Sequence, residues 1–170
     1  LKRYLPDHTA VHESRWLRPF RNSLLHPRLW HLNRHSAAGA VAAGMFCGLI
    51  PGPLQMIGAA ICALIFRVNL PLAMFVTLYT NPFTIVPLYL VAYWIGSLMV
   101  GGSGEIADPP AFSWTDIAGS FRALVDWSLA LGKPLLVGLV TLAASLSALG
   151  WIAVQVAWRS WVVVQWRRRR

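Results

Sequence analysis

Two long uncharged segments constrain the fold of this chain more than any other feature. They run from Ala37 to Phe66 and from Leu70 to Val100, and the only charged side chain between His35 and Gly104 is Arg67. A soluble domain leaves much of its surface in water and is charged at about a quarter of its residues. This chain is 12% charged and 56% hydrophobic. The sequence therefore predicts an all-α integral membrane protein.

Prolines interrupt both uncharged segments near their middles. The first contains "IPGP", Ile50 to Pro53, and the second contains "TNPFTIVP", Thr80 to Pro87. As a helix, each half of the first segment would be about 20 Å long, too short for a bilayer core of about 30 Å. A re-entrant hairpin fits these lengths, and a strongly kinked spanning helix is the alternative. Pro53 and Pro87 also align in a weak match, which is either an internal repeat or a chance similarity.

Charge divides the rest of the chain. The basic 1–36 segment is predicted to lie in the cytoplasm and at the membrane interface, with Ser23 to Arg34 partly helical there. The membrane domain is predicted over 37–158, and a basic cytoplasmic tail over 159–170. Within the membrane domain we expect broken helices at 37–66 and 70–100, a polar interlude with an amphipathic interfacial helix at 101–133, and a clean transmembrane helix at 134–158.

The charge distribution also predicts a topology. Flanking cations mark cytoplasmic ends in bacterial inner-membrane proteins, so both termini are expected in the cytoplasm. The net-acidic interlude suits the periplasm. Because the last helix returns to the cytoplasm, the 37–100 region must cross the membrane an odd number of times. With Arg67 inside, the first segment is re-entrant and the second crosses; the swapped assignment places Arg67 outside.

Four motifs occur in order: "HPRLWHLNRHS", "GMFCGLIPGPLQM", "RVNLPLA" and "TNPFTIVPLYLVAYWIG". Together they resemble the bacterial family called domain of unknown function 2062, over about Leu24 to Gly101. The resemblance implies a small proteobacterial inner-membrane protein without an established activity. In some members a similar domain is joined to a family-2 glycosyltransferase, a class that often works on polyprenyl-phosphate lipids. A membrane glycosyltransferase is therefore a candidate partner.

The interruptions supply the candidate site. Unpaired backbone groups cost several kcal/mol each in hydrocarbon, so a break must be buried in protein or line a wet cavity. Asn81, Thr80 and Thr84 either cap the kink or join a site where a helix N-terminus faces an anion. Gly52 allows close approach at the other interruption, and Gln55 offers an amide. These residues are predicted to bind an anion or a lipid headgroup.

Arg67 is the natural electrostatic partner of such a site. It either marks a cytoplasmic turn and reaches lipid phosphate, or binds a phosphorylated lipid together with Arg28 and Arg34. Arg28, Arg34 and Trp30 are predicted to contact lipid headgroups. Three tyrosines of the second segment are either headgroup donors or interfacial anchors: Tyr79, Tyr89 and Tyr93.

Other chemistry has little support in the sequence. His31 and His35 are four residues apart, but no nearby Cys or acidic residue completes a metal site. Cys47 and Cys62 lie in apolar runs and are expected to be packing residues. We find no paired carboxylates in the core and no nucleophile motif, so no catalytic residue, metal or cofactor is predicted. The basic runs lack a nucleic-acid reading module, so nucleic acid is not expected as a partner.

Two main functions are compatible with the sequence. The first is a non-enzymatic protein that binds or translocates an anionic lipid, such as a polyprenyl phosphate, through Pro51–Met56 and Thr80–Pro87, with help from Arg67. The alternative is a scaffold or accessory subunit for a glycosyltransferase or another envelope enzyme, with no ligand of its own. An enzyme acting on lipid is a third, and a homo-oligomer stays open. Convergence of Asn81, Gln55 and Arg67 on one cavity would favour the first, whereas residues that pack dry against the protein or point apart would contradict a site formed by all three.

Overall fold

The computed structural model describes residues 29–101 and 108–168. Regular structure in these ranges is entirely helical, which confirms the all-α class. Predictions for residues 1–28, including the interfacial segment before Leu29 and the contact of Arg28, lie outside the described residues. The helices include α1 (Arg34–Cys47), α2 (Leu54–Phe66), α3 (Leu70–Val76), a 3₁₀ turn (Thr77–Tyr79), α4 (Ile85–Val100), α5 (Ile117–Ala130) and α6 (Gly132–Arg168).

Both helical interruptions coincide with the proline motifs. The chain leaves α1 after Cys47 and turns at Gly52, whose φ of +71° is one that glycine adopts without steric cost. Pro53 then directly precedes α2. The second interruption lies between the 3₁₀ turn and α4, but Pro87 falls inside the first turn of α4. The two prolines therefore do not occupy equivalent positions.

The first three helices run back and forth, with α3 parallel to α1. Gly39 of α1 lies against Val68, just before α3, and Gly48, just after α1, lies against Tyr79, just after α3. A Cβ on Gly44 would overlap the backbone of α3, so the close approach requires a residue without a side chain. Gly44 and Gly48 thus form a small-residue face on this side of the chain. Because α1 and α3 run in one direction and α2 runs back between them, the end of α1 and the end of α3 are at the same end of this three-helix unit. Both interruptions therefore lie there.

A short turn of three residues, Arg67 to Asn69, joins α2 to α3. Arg67 ends α2 in the left-handed conformation, with φ of +53°. Asn69 then caps α3, because its Oδ1 accepts a hydrogen bond of 2.9 Å from the backbone N of Leu72. Pro71 occupies the first turn of α3, where its missing N–H has no intrahelical partner to lose.

The long helix α6 packs against both uncharged segments. Gly96 of α4 lies against the backbone of Pro134, and Gly138 lies against the backbone of Ala92, so α4 and α6 are antiparallel. Further along α6, Gly150 lies against α1. The start of α6 packs against α4 and a later part of α6 packs against α1. The long helix therefore connects the two uncharged segments.

The last helix is longer than its sequence predicts. Instead of ending before Arg159, it has 37 residues and is about 55 Å long, so the start of the basic tail is helical. Gly132–Trp166 has a stretch of mean hydropathy 2.1 and is the one helix among the described residues that is long and apolar enough to cross a membrane. The apolar helices Leu54–Phe66, Leu70–Tyr79 and Ile85–Val100 are shorter.

The polar interlude packs back onto the second uncharged segment. In α5, Trp127 is buried in a cluster with Tyr89 and Tyr93 of α4. Arg122 and Asp126, the pair that the sequence places one turn apart, are both exposed. The end of α5 thereby joins the helical core through Trp127 and the adjacent Leu131.

Candidate functional site

A cavity of about 360 Å³ lies between the two interruptions. Four of the predicted site residues line it: Gly52, Gln55, Thr80 and Asn81. Among the described residues that line the cavity, none carries a charge. The other walls are mostly apolar or aromatic and come partly from the interlude: Pro53, Pro82, Ile85, Val86, Pro110, Ala111, Phe112, Trp114, Ile117, Ser120, Phe121 and Leu124.

Thr80 ties the two interruptions together. Its buried hydroxyl lies 2.5 Å from the carbonyl oxygen of Gly48, 2.6 Å from Oε1 of Gln55 and 3.0 Å from the carbonyl oxygen of Thr77. A hydroxyl carries one proton, so it can donate to only one of these three acceptors at a time. The bond to Thr80 uses only the oxygen of the Gln55 amide, so its NH₂ group can donate to a ligand in the cavity.

Asn81 and Thr84 cap the start of α4. The side-chain oxygen of Asn81 accepts hydrogen bonds from the backbone N of Phe83 at 2.9 Å and of Thr84 at 3.1 Å. In return, the hydroxyl of Thr84 accepts from the backbone N of Asn81 at 2.9 Å, as in a capping box. The capping role is thus present in the structure. Asn81 is also exposed and lines the cavity, whereas Thr84 does not.

Two tyrosines of the second uncharged segment donate hydrogen bonds to backbone carbonyls at the first interruption. The hydroxyl of Tyr79 donates to the carbonyl of Met45 at 2.9 Å, and that of Tyr89 donates to the carbonyl of Leu49 at 2.7 Å. The last carbonyls of a helix lack intrahelical donors, so these bonds satisfy groups that the interruption frees. Sequence reasoning misses this role, since it treats the tyrosines as headgroup donors or interfacial anchors.

Aromatic side chains of the interlude close one side of the cavity. Trp114 contacts Phe112 with ring centroids 4.9 Å apart and Phe83 with centroids 6.3 Å apart. The ring of Phe121 lies so close to Gly52 that a Cβ there would overlap it. Sequence reasoning also misses these walls, because no local pattern links the interlude to the interruptions.

Arg67 does not belong to this cavity, contrary to the expectation of one shared site. It lines a separate cleft of about 620 Å³, together with Arg34 and His35. The reason is geometric: Gln55 begins α2 and Arg67 follows its end, so they are about 18 Å apart along the helix axis. Trp30, another predicted headgroup contact, is partly buried.

Comparison with known proteins identifies a family but no function. Residues 17–167 match the family described as "Uncharacterized protein conserved in bacteria (DUF2062)". No curated protein and no solved structure matches the chain. Within the described ranges, no group of three or more His, Cys, Asp or Glu side chains could hold a metal ion.

Proposed function

The chain belongs to the uncharacterised bacterial family DUF2062, and we propose that it is an integral inner-membrane protein that binds or translocates an anionic lipid, such as a polyprenyl phosphate. The observation that carries this proposal is the cavity between the two interruptions. Polar residues from both interruptions line it, and apolar and aromatic side chains form its remaining walls. Ligand sites commonly combine apolar walls with a few convergent polar groups.

Neutral donors would hold the anionic group. Both α2 and α4 begin at the cavity, and helix N-termini carry partial positive charge. The amide groups of Gln55 and Asn81 add donors, and no carboxylate on the described walls opposes an anion. Such a site can bind a phosphate headgroup through backbone and amide donors without a fixed cation.

The proposed topology has both termini in the cytoplasm. Here α1 and α2 form a re-entrant hairpin, the path from α3 to α4 crosses the membrane with its break at the cavity, and α6 crosses back. The shared cleft of Arg34 and Arg67 supports the hairpin. The start of α1 and the end of α2 must then lie on the same side of the membrane. The 101–133 interlude lies on the periplasmic side and its helix α5 at the interface.

A pair of isosteric substitutions tests the site. Gln55→Glu and Asn81→Asp keep the side-chain size, and Asp also caps helices well, but each introduces a negative charge in the cavity. Gln165→Glu makes the same change on an exposed position of α6 outside the cavity. Native mass spectrometry of purified protein incubated with a polyprenyl monophosphate or the uncharged polyprenol would measure binding.

We expect the wild type and Gln165→Glu to bind the phosphate, and the two cavity variants to lose about tenfold or more in affinity, since a charge-assisted hydrogen bond contributes about 1.5–3 kcal/mol. Equal binding in all four proteins contradicts the proposed site. If the wild type binds neither lipid but retains a membrane enzyme through purification, the scaffold function is supported instead.

A further inference from the structure

The cleft that contains Arg67 lies at the opposite end of the α1–α2 hairpin from the interruptions. Arg34 and Arg67 both line it and both are exposed. We propose that this cleft is a second anion site, which binds the phosphate group of a membrane lipid or of a soluble phosphate compound. It is separate from the cavity and does not rest on the function proposed for it. Its lining also includes Asn33, His35, Ser36, Phe66 and Val68.

Backbone geometry, rather than chance side-chain orientation, brings the two arginines together. Asn33 caps α1, since its Oδ1 accepts a hydrogen bond of 2.8 Å from the backbone N of Ser36, and α1 begins with Arg34. At the same end of the hairpin, Arg67 follows the last residue of α2, and the next backbone N, of Val68, donates to the carbonyl oxygen of Ala63 at 3.0 Å. Both arginines therefore project from fixed helix ends.

The charges of the cleft suit a phosphate group. Arginine offers a planar fork of donors that pairs with two phosphate oxygens, and two such side chains at one cleft repel each other unless an anion lies between them. The N-terminus of α1 contributes partial positive charge and the C-terminus of α2 partial negative charge at the cleft, so the two arginines determine its sign. None of the three acidic residues that the structure describes, Asp108, Asp116 and Asp126, lines the cleft.

The apolar surface beside the cleft suits a lipid as the source of that phosphate. Phe66 lines the cleft and is 69% exposed, and its neighbour Ile65 is 68% exposed. Large apolar side chains next to a cationic pair match a bilayer interface, where the headgroup meets the acyl chains. A soluble phosphate would engage the arginines alone and would gain nothing from these side chains.

Calorimetric titration of the detergent-purified protein tests the cleft and separates the two sources. The three probes are a short-chain phosphatidic acid below its micelle concentration, the matching short-chain phosphatidylcholine, and inorganic phosphate. Arg34→Gln and Arg67→Asn remove one charge each, and Asn tolerates the left-handed backbone of position 67. Arg67→Lys keeps the charge, and Arg122→Gln removes an exposed charge from α5 as a control.

We expect phosphatidic acid to bind, with affinity lower by about tenfold in Arg34→Gln and in Arg67→Asn. Arg67→Lys should retain part of the affinity, because lysine keeps the charge but not the planar fork, and Arg122→Gln should retain all of it. Inorganic phosphate binding as tightly as phosphatidic acid would identify a soluble ligand, whereas weaker binding would identify a lipid headgroup; both results support the site. Unchanged affinity in Arg34→Gln and Arg67→Asn, or the same loss in Arg122→Gln, would overturn it. The losses in Arg34→Gln and Arg67→Asn should also appear in the Gln55→Glu background, which distinguishes the cleft from the cavity.

Discussion

Replacing Gly96 with alanine should separate α4 from α6. The added Cβ would overlap the carbonyl oxygen of Pro134, and the same change at Gly138 would overlap the carbonyl oxygen of Ala92. Contacts between a helix carbon and a carbonyl oxygen are about 3.3–3.6 Å long, so the helices would have to move apart by roughly 1.5 Å. A gap of even 0.5–1 Å loses about a quarter to a half of the dispersion energy of the atoms that line it.

Gly96 and Gly138 therefore stabilise the fold because the absence of a side chain lets α4 and α6 approach closely. Overpacking usually costs about 1–3 kcal/mol, and backbone atoms cannot rotate away, so we expect Gly96→Ala to lower the free energy of unfolding by about 3 kcal/mol. Because one separation accommodates both new side chains, the double variant Gly96→Ala, Gly138→Ala should cost clearly less than the sum of the single variants.

Unfolding in mixed micelles with increasing dodecyl sulfate, followed by tryptophan fluorescence, measures this cost. Gly58→Ala is the matched control: a Cβ there would meet only side chains, at 3.3 Å or more, and alanine favours the helix by up to about 1 kcal/mol. If Gly96→Ala is as stable as Gly58→Ala, or if the two interface substitutions add, the tight α4–α6 packing is incorrect.

Three further predictions follow from individual contacts. The thiols of Cys47 and Cys62 are 3.7 Å apart, so mild oxidation with diamide should form an intramolecular disulfide between α1 and α2. The expected result is the loss of both free thiols without dimer formation. A covalent dimer would contradict the hairpin. Tyr89→Phe leaves the buried carbonyl of Leu49 without its donor and should lower the free energy of unfolding by about 1–3 kcal/mol in the micelle assay, and a change near zero would show that this bond does not support the interruption. A Ser113→Cys variant without the two natural cysteines should react with a membrane-impermeant thiol reagent added to intact spheroplasts, and reaction only after lysis would reverse the topology.

Local chemistry made the helix interruptions predictable from the sequence. Proline removes a backbone donor, and Asn69 and Asn81 each stand where a cap is needed. The small-residue face of α1 was predictable for a similar reason, because glycine spacing in an apolar helix favours close contact. These signals depend on residues a few positions apart.

Long-range contacts account for what the sequence did not reveal. The aromatic walls around Trp114 join the interruptions only through packing between distant segments. The tyrosine bonds to α1 depend on two helices running parallel, which no local pattern specifies. The separation of Gln55 from Arg67, in contrast, was available from the sequence, since an unbroken helix between them requires about 18 Å. A single Arg159 was also insufficient to end α6, because arginine is a good helix former.

Photo-crosslinking tests the central claim, a lipid site at the two interruptions, most directly. A polyprenyl phosphate with a diazirine near its phosphate would be irradiated with the purified protein, and the modified peptides would be mapped by tandem mass spectrometry. We expect adducts on residues that line the cavity, such as Trp114, Phe121 and Pro82, and these adducts should disappear when unlabelled polyprenyl phosphate is added in excess. Adducts spread along the exposed face of α6, and unaffected by the competitor, would contradict it.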